Sequence, residues 1–212
     1  YHTIGQVKAF QSINLSSQAP GLVKRIYFKP GQKVKRHTLL VQLDSKVEKA
    51  QYSLQLADFR LQTKLFKQQE KLWQTKTIAE SQFLQAKANL DKATASMHAA
   101  KAHLKEKQIR APFTGIVGIS EIYPGQYISP GQQHIASLQQ TNKLYLDFYL
   151  PEKYVHHIKI GELIHFKTEQ QSHFSKTAKI YAIEPSSQQM AHTIWVRAII
   201  NNHKNQFTPG FL

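Results

Sequence analysis

Residues 21–34 read GLVKRIYFKPGQKV, and residues 115–128 read GIVGISEIYPGQYI. Aligned from Gly21 and Gly115, the two stretches set Val23 on Val117, Pro30-Gly31 on Pro124-Gly125, Gln32 on Gln126 and Val34 on Ile128. Upstream, Ala19-Pro20 answers Ala111-Pro112 with one extra residue in the second copy; downstream, another extra residue brings Leu40 and Leu43 level with Ile135 and Leu138. Alternating apolar positions on either side of a Pro-Gly turn predict a pair of short strands in each copy. Neither copy covers its own apolar face, so the two are expected to face each other as halves of one flattened β-sandwich. The long stretch between them is tolerable because closure cost rises only slowly with loop length.

Between the copies the apolar period changes from two to about three and a half. Val47, Ala50, Leu54, Ala57 and Leu61 recur at heptad steps in a first arm, and Ala86, Leu90, Ala93, Met97, Ala100 and Leu104 do so in a second. This is the spacing of a narrow seam between long helices. Ser45…Glu48 and Thr77…Glu80 each have the form of a capping box. Lys71, Lys76, Lys105 and Lys107 lie near the arm ends, where cations meet the negative end of the helix dipole, and Ala111-Pro112 is expected to stop the second arm. Helices over 46–74 and 78–108 would each be about 43–47 Å long at about 1.5 Å per residue, and the short connection makes them an antiparallel hairpin. Tyr52, Phe59, Phe66, Trp73 and Phe83 fall outside this seam. They are expected either to decorate a surface, with Trp73 and Ile78 closing the turn, or to form docking faces for other copies or another coiled coil.

After Gln140 strand patterns return. KLYLDFYL (143–150) puts Leu144, Leu146, Phe148 and Leu150 on one face and Tyr145, Asp147 and Tyr149 on the other. A short helical stretch from Pro151-Glu152 through Ile160, the strands ELIHFKT and TAKIYAIE, and HTIWVRAII with Trp195 and Arg197 on its outer row suggest a small β-barrel completed by residues 1–10. The fold class is thus mixed α/β and modular: a lipoyl-like β-sandwich (11–44 and 109–140) interrupted by an antiparallel helical hairpin (45–108), then a β-barrel region (1–10 and 141–212). Both ends read as cut, since residue 1 opens in strand-like text and Thr208-Pro209-Gly210-Phe211-Leu212 looks like a strand beginning.

The chain carries 28 Lys plus Arg against 13 Asp plus Glu, a formal charge of +15 that invites polyanions, anionic membrane surfaces or acidic partners. Its cations are spread over every segment with no zinc-finger, glycine-loop or recognition-helix pattern, so no nucleic-acid partner is expected. The absence of Cys excludes disulfides and Cys-ligated metals. His156-His157 is the densest His group, but adjacent helical positions point about 100° apart and chelate poorly. No carboxylate pair suggests acid–base chemistry, and Ser45 and Thr77 read as caps rather than nucleophiles. No catalytic residue, cofactor or metal is expected.

The order of β half, helical hairpin, β half and barrel resembles the membrane fusion proteins, periplasmic adaptor subunits of tripartite export systems, and most closely those of resistance-nodulation-division (RND) efflux pumps. The phrases that carry the resemblance are APGLVKRIYFKPGQKVKRHTLLVQLD (19–44), IRAPFTGIVGISEIYPGQYISPGQ (109–132), LYLDFYLPEKYVHHIKIGE (144–162) and HTIWVRAIINNHKNQFTPG (192–210). The resemblance implies a non-enzymatic adaptor in the periplasm of a Gram-negative bacterium, held to the inner membrane by an N-terminal anchor outside this sequence. It also implies a membrane-proximal domain largely outside it, a ring of usually six copies, and two partners: an inner-membrane transporter of the RND type and an outer-membrane channel. An ABC or major-facilitator transporter shares much of the plan and stays open. The hairpin tip of such adaptors carries Arg, then Leu, then Ser for channel contact; the matching positions here are Gln68, Leu72 and Ala79, so only Leu72 agrees, and Trp73 and Ile78 flank it. Lys67, Lys71 or Lys76 could substitute for the missing charge. Ring contacts or passage lining are expected around Gly118, Tyr123, Gln126, Tyr127 and Gln132. A lipoyl or biotinyl carrier, the remaining alternative, needs a modified Lys at the turn joining the halves, and here the helical arms replace that turn.

Overall fold

The computed structural model describes residues 2–167, 176–184, 193–202 and 207–208. The repeated phrase folds as a reciprocal exchange. Strand β2 (Gly21–Ile26) pairs with β7 (Tyr127–Ile128), and β3 (Lys33–Val34) pairs with β6 (Gly115–Val117). Each strand that follows a Pro-Gly turn therefore pairs with the strand that precedes the turn in the other copy. The turns are held the same way: Gly31 N donates to Val117 O and Gly125 N to Val23 O, both at 2.8 Å. In return Val117 N donates to Gln32 O at 3.0 Å and Val23 N to Gln126 O at 2.8 Å. Both turn glycines have positive φ, 77° and 87°, where a side chain is strained. Gln32 and Gln126 each brace their own turn by accepting from the backbone N of Lys29 and Tyr123, at 2.9 and 3.0 Å.

Strands β4 (Leu39–Leu43) and β5 (Gln108–Arg110) complete the sandwich, in the order β5-β4-β2-β7. Leu40, Leu43, Ile135 and Leu138, the residues that align between the copies, are all fully buried together with Val23, Val34, Val117 and Ile128 in one core. The expectation that neither half buries its own face is met.

Strand β1 (Gly5–Leu15) and the long β8 (Ala136–Pro151) run antiparallel along their whole length. Their lower ends give Leu15, Ala136 and Leu138 to the sandwich core; their upper ends give Val7, Leu144, Leu146, Phe148 and Leu150 to a second core. The register slips between Ala9 and Gln11, where one unit passes into the other. The upper sheet runs β1-β8-β11-β10-β9, with β9 (Leu163–Phe166), β10 (Lys176–Ile183) and β11 (Thr193–Asn201), and curls around the second core as a half-barrel. Among the described residues β1 and β9 are not paired with each other, and a cavity of about 730 Å³ lies between them over Val7, Leu146, Phe148 and Ile164. The helical stretch after Pro151 is a 3-10 turn, Glu152–His157, shorter than the sequence suggests, and Gly161 follows at φ 94°. Residues 209–212, where a further strand is expected, lie outside the described residues.

Helices α1 (Lys46–Gln74) and α2 (Glu80–Glu106) form the antiparallel hairpin. The bounds of α1 agree with the sequence reading, and α2 is shorter at both ends. It stops at Glu106, ahead of the expected Pro112 signal, because residues 108–110 are drawn into β5 beside β4. Neither capping box forms. Ser45 is the N-cap but makes no cap bond; its hydroxyl accepts from Gln42 Nε2 at 3.3 Å, while Glu48 turns to Lys107. The N-cap of α2 is Ala79, and the Thr77 hydroxyl is engaged with that of Thr75 at 2.8 Å.

The seam of α1 is also on the other face from that expected. Tyr52, Phe59 and Phe66, spaced seven apart, are half-buried and Trp73 continues the row, whereas Val47, Ala50, Leu54, Ala57 and Leu61 are exposed. The α2 residues Ala86, Leu90, Ala93, Met97, Ala100 and Leu104 do face the partner helix. Two heptad rows were available on α1. The aromatic row wins because an Ala-rich α2 face is shallow, and large rings fill the gap that Leu and Ala side chains would leave.

Candidate functional site

The hairpin is a rod with a fixed root and a free end. At the root, Leu43 N donates to Lys107 O at 2.9 Å and Gln42 Nε2 donates to the same oxygen at 3.2 Å. The Lys107 ammonium reaches Glu48 at 3.0 Å and donates to Pro20 O at 2.6 Å, tying α2, α1 and the sandwich together at one point. These side chains are largely buried, so the pair is screened less than a surface ion pair and helps set the angle at which the rod leaves.

At the free end, Phe83 stacks on Trp73 with centroids 5.7 Å apart and meets Phe66 at 5.6 Å. Helix α1 closes in a Schellman arrangement: Lys76 N donates to Trp73 O and Thr77 N to Leu72 O, both at 2.8 Å, with Lys76 at φ 55°. The sequence gives no sign of this cap, since Lys rather than Gly occupies the left-handed position. The five residues expected at the tip come together there. Gln68, Trp73 and Ala79 are exposed, and Leu72 and Ile78 are half-buried. Lys67, Lys71 and Lys76 are exposed among them, so the end of the rod is cationic around a small apolar centre.

On the sandwich, Tyr123 and Tyr127 are exposed, and Tyr127 lies in register beside the exposed Leu22. Gln132 is exposed as well. Two others of that group serve the fold. The side-chain oxygen of Gln126 holds its own turn, and Gly118 lies so close to Ser137 that a side chain there would collide with its hydroxyl.

A polar cluster that the strand patterns did not single out sits on the outer face of the half-barrel. Asp147, only 5% exposed, accepts from Arg197 Nε at 2.6 Å and Nη2 at 2.8 Å, and Lys8 lies 3.2 Å away. Arg197 is flanked by Tyr145 and Trp195, 4.5 and 4.7 Å from their ring centres. Burial pushes the Asp147 carboxyl up, but the hydrogen bonds from Arg197 and Lys8 outweigh it and hold the group below the ordinary carboxylate range. The outward row of KLYLDFYL and that of HTIWVRAII contained the signal: Asp147 and Arg197 are direct cross-strand partners. The cluster is a structural clasp. Among the described residues, no three His, Asp or Glu side chains come together as a metal site, and no helix is long and apolar enough to cross a membrane.

Comparison with known proteins accounts for this architecture. Residues 11–140 match the family model "RND MFP, barrel-sandwich hybrid domain", and residues 143–212 match "CusB-like, beta-barrel domain". An uncharacterised protein of Haemophilus influenzae is 31% identical over 185 residues, covering 87% of this chain and 48% of that protein. The multidrug resistance protein MexA of Pseudomonas aeruginosa is 22% identical over 220 residues, covering 97% and 57%. The chain spans about half the length of these curated relatives. Among solved structures, a MacA–MexA chimera carrying the P. aeruginosa MexA α-hairpin superposes with a TM-score of 0.81 at 20% identity, covering 99% of this chain and 77% of that one. The two family models together account for the sandwich with its inserted hairpin and for the half-barrel, and the chain belongs to the RND membrane fusion protein family of periplasmic adaptors.

Proposed function

We propose that this chain is the hairpin, sandwich and barrel part of an adaptor that joins an inner-membrane RND transporter to an outer-membrane channel. It does so in the periplasm of a Gram-negative bacterium, attached to the inner membrane, and copies assemble as a ring, six being the expected number, around an exit path for drugs or small solutes. The observation that carries this reading is the rod itself: a long hairpin with a fixed root in the sandwich and a cationic, aromatic-braced free end. Such a shape spans distance and presents an end, and its chemistry binds rather than transforms. Gln68, Leu72, Trp73, Ile78 and Ala79 form the channel-docking end in this reading, and Tyr123 and Tyr127 the ring-facing surface of the sandwich. Support for the transporter class comes from the family model and from relatives whose names describe efflux pump periplasmic linkers.

Affinity capture of the complete protein from detergent-solubilised native cells tests the proposal. An RND transporter and an outer-membrane channel are expected among the captured proteins. Leu72→Asp is expected to lose the channel at least tenfold while retaining the transporter and the helical content of the hairpin. Capture of neither protein by the wild type would overturn the bridging role, and undiminished channel capture by Leu72→Asp would remove Leu72 from the docking end.

A further inference from the structure

The two copies of the repeated phrase fold alike and are charged unlike. Lys24, Arg25, Lys29, Lys33, Lys35 and Arg36 of the first copy align with Gly118, Ile119, Tyr123, Tyr127, Ser129 and Pro130 of the second. All six basic residues are exposed, and none makes an ion pair among the described residues. Segments 19–43 and 108–120 hold no Asp or Glu at all. The backbone still matches between the copies, down to the left-handed residue after each run, His37 at φ 67° and Gly131 at φ 69°. One copy is thus a control for the other: the fold forms without any cation at these positions. Clustered like charges repel one another, so a field of one sign fits a surface that an anion covers.

The six are carried from β2, in the four-stranded sheet, to β3, the end strand of the other sheet, and into the turn before β4. That turn is firmly placed. Arg36 N donates to Thr114 Oγ1 at 3.0 Å, His37 N to Ala111 O at 2.7 Å, and Arg110 Nη1 to His37 O at 3.0 Å, which brings a seventh cation to the group. Strand β4 runs from this turn toward Leu43 and the hairpin root, so the group lies at the end of the sandwich nearer the half-barrel. Tyr27, 47% exposed, stands beside Arg25, whose guanidinium carbon is 6.0 Å from the ring centre. Cations spread around an exposed ring suit an extended anionic polymer with flat sugar faces better than one small anion.

We propose that this basic edge binds the peptide-bearing glycan of the cell wall, through the carboxylates of its stem peptides, where the adaptor passes through that layer. This rests on the reading that the chain stands in the periplasm between two membranes. A second copy of the chain does not fit the edge: its formal charge is +15, and the two carboxylates of its sandwich, Asp44 and Glu121, are engaged with Lys46 N and His134. A bilayer does not fit either, because the edge lies between the rod and the half-barrel, away from what the two ends reach. The wall glycan is the polyanion between the membranes, its free carboxylates outnumbering its free amines, and Arg and Lys meet carboxylates in short charge-assisted hydrogen bonds.

Co-sedimentation of the complete protein with purified sacculi tests this. The wild type is expected to sediment with them at low salt and to be released as ionic strength rises to about 0.5 M. Lys33→Gln, Lys35→Gln and Arg36→Gln together are expected to weaken binding at least tenfold, with capture of transporter and channel unchanged. Those three side chains are exposed and make no hydrogen bond among the described residues, so the helical content and unfolding midpoint are expected to be unchanged. Lys87→Gln, Lys92→Gln and Lys101→Gln together remove the same charge from exposed positions of α2 and are expected to change binding less than twofold. Sacculi with amidated carboxylates are expected not to bind. Equal losses from the two triple variants would mean diffuse attraction of a basic protein and would overturn the proposal, as would full binding to amidated sacculi. Binding to phosphatidylglycerol vesicles and not to sacculi, lost in the edge variant, would assign the edge to a membrane surface and overturn it too. Loss of the transporter or channel from the edge variant would assign the edge to an acidic protein instead. Failure of the wild type to bind sacculi while it captures transporter and channel would overturn the wall contact alone; failure in all three would overturn the bridging reading as well.

Discussion

Replacing Arg197 with Leu is expected to lower stability by about 2–3 kcal/mol at neutral pH, the range for leaving a buried carboxylate without its main partner, reduced because Lys8 remains and the site borders solvent. The guanidinium makes both of its hydrogen bonds to Asp147 and fills the space between Tyr145 and Trp195, so its loss removes charge compensation and packing together. Urea titration with circular dichroism measures it. Replacing both Asp147 and Arg197 by Leu is expected to recover most of the loss, because two apolar groups need no compensation. The pH dependence has a definite sign. The folded-state value of Asp147 lies below its unfolded value, so its contribution is fully present above about pH 4 and is lost as pH falls through the folded-state value. The gap between wild type and Arg197→Leu is therefore expected to be widest near neutrality and to narrow below pH 4; a gap that widened in acid would contradict the clasp.

Gly115→Val is the second large expected effect, at about 3 kcal/mol or more, near the top of the range for overpacking. A Cβ at this position would stand 2.5 Å from the backbone oxygen of Gln139 and 2.9 Å from its carbonyl carbon. These are backbone atoms of β8, which is held by β1 on one side and β6 on the other, so they cannot move aside without breaking a ladder. Gly21, the aligned residue of the first copy, provides the control: the nearest atoms to its Cβ are side-chain atoms at 3.6 Å. Gly21→Ala is expected to cost under about 1 kcal/mol. Equal losses at the two positions in thermal unfolding would contradict the account of β6 against β8.

The pairing of the two copies was legible because it depends on alternation and turn chemistry, both local properties of the chain. Val23, Val117, Leu40 and Leu138 all reach the core that their spacing predicts. What the pattern could not show was the exchange of strands between turns, since hairpin and exchanged pairings bury the same residues. The α1 face was misjudged for a related reason. Leu and Ala at heptad steps look like a seam wherever they occur, and the choice between that row and the aromatic one depends on how much volume α2 leaves, a tertiary quantity. The first capping box failed because Glu48 had a stronger use as the partner of Lys107, some sixty residues away along the chain, and the second because Thr77 is drawn into the close of α1, its N–H on Leu72 O and its hydroxyl on that of Thr75, which leaves Ala79 as the N-cap. Gln68, Leu72, Trp73, Ile78 and Ala79 lie near the free end of the hairpin, as their place in the chain implies. In the proposed docking role Gln68 and Ala79 depart from the family pattern, which leaves Leu72 and the surrounding lysines as the candidate contact groups.

The most direct test of the whole arrangement is hydrogen exchange on a chain whose residues 46–106 are replaced by a short Gly-Ser turn. Leu43 N already bonds Lys107 O at 2.9 Å, so a few residues close the gap without strain. If two separated segments make one sandwich and the helices are an insertion upon it, the amides of Val23, Gly31, Val117 and Gly125 keep protection factors within about tenfold of the intact chain, since tenfold corresponds to about 1.4 kcal/mol in opening free energy. Loss of protection at all four, with the half-barrel amides of β8 and β11 unaffected, would mean that the hairpin is part of the sandwich core, and the rod-on-a-base account would fail.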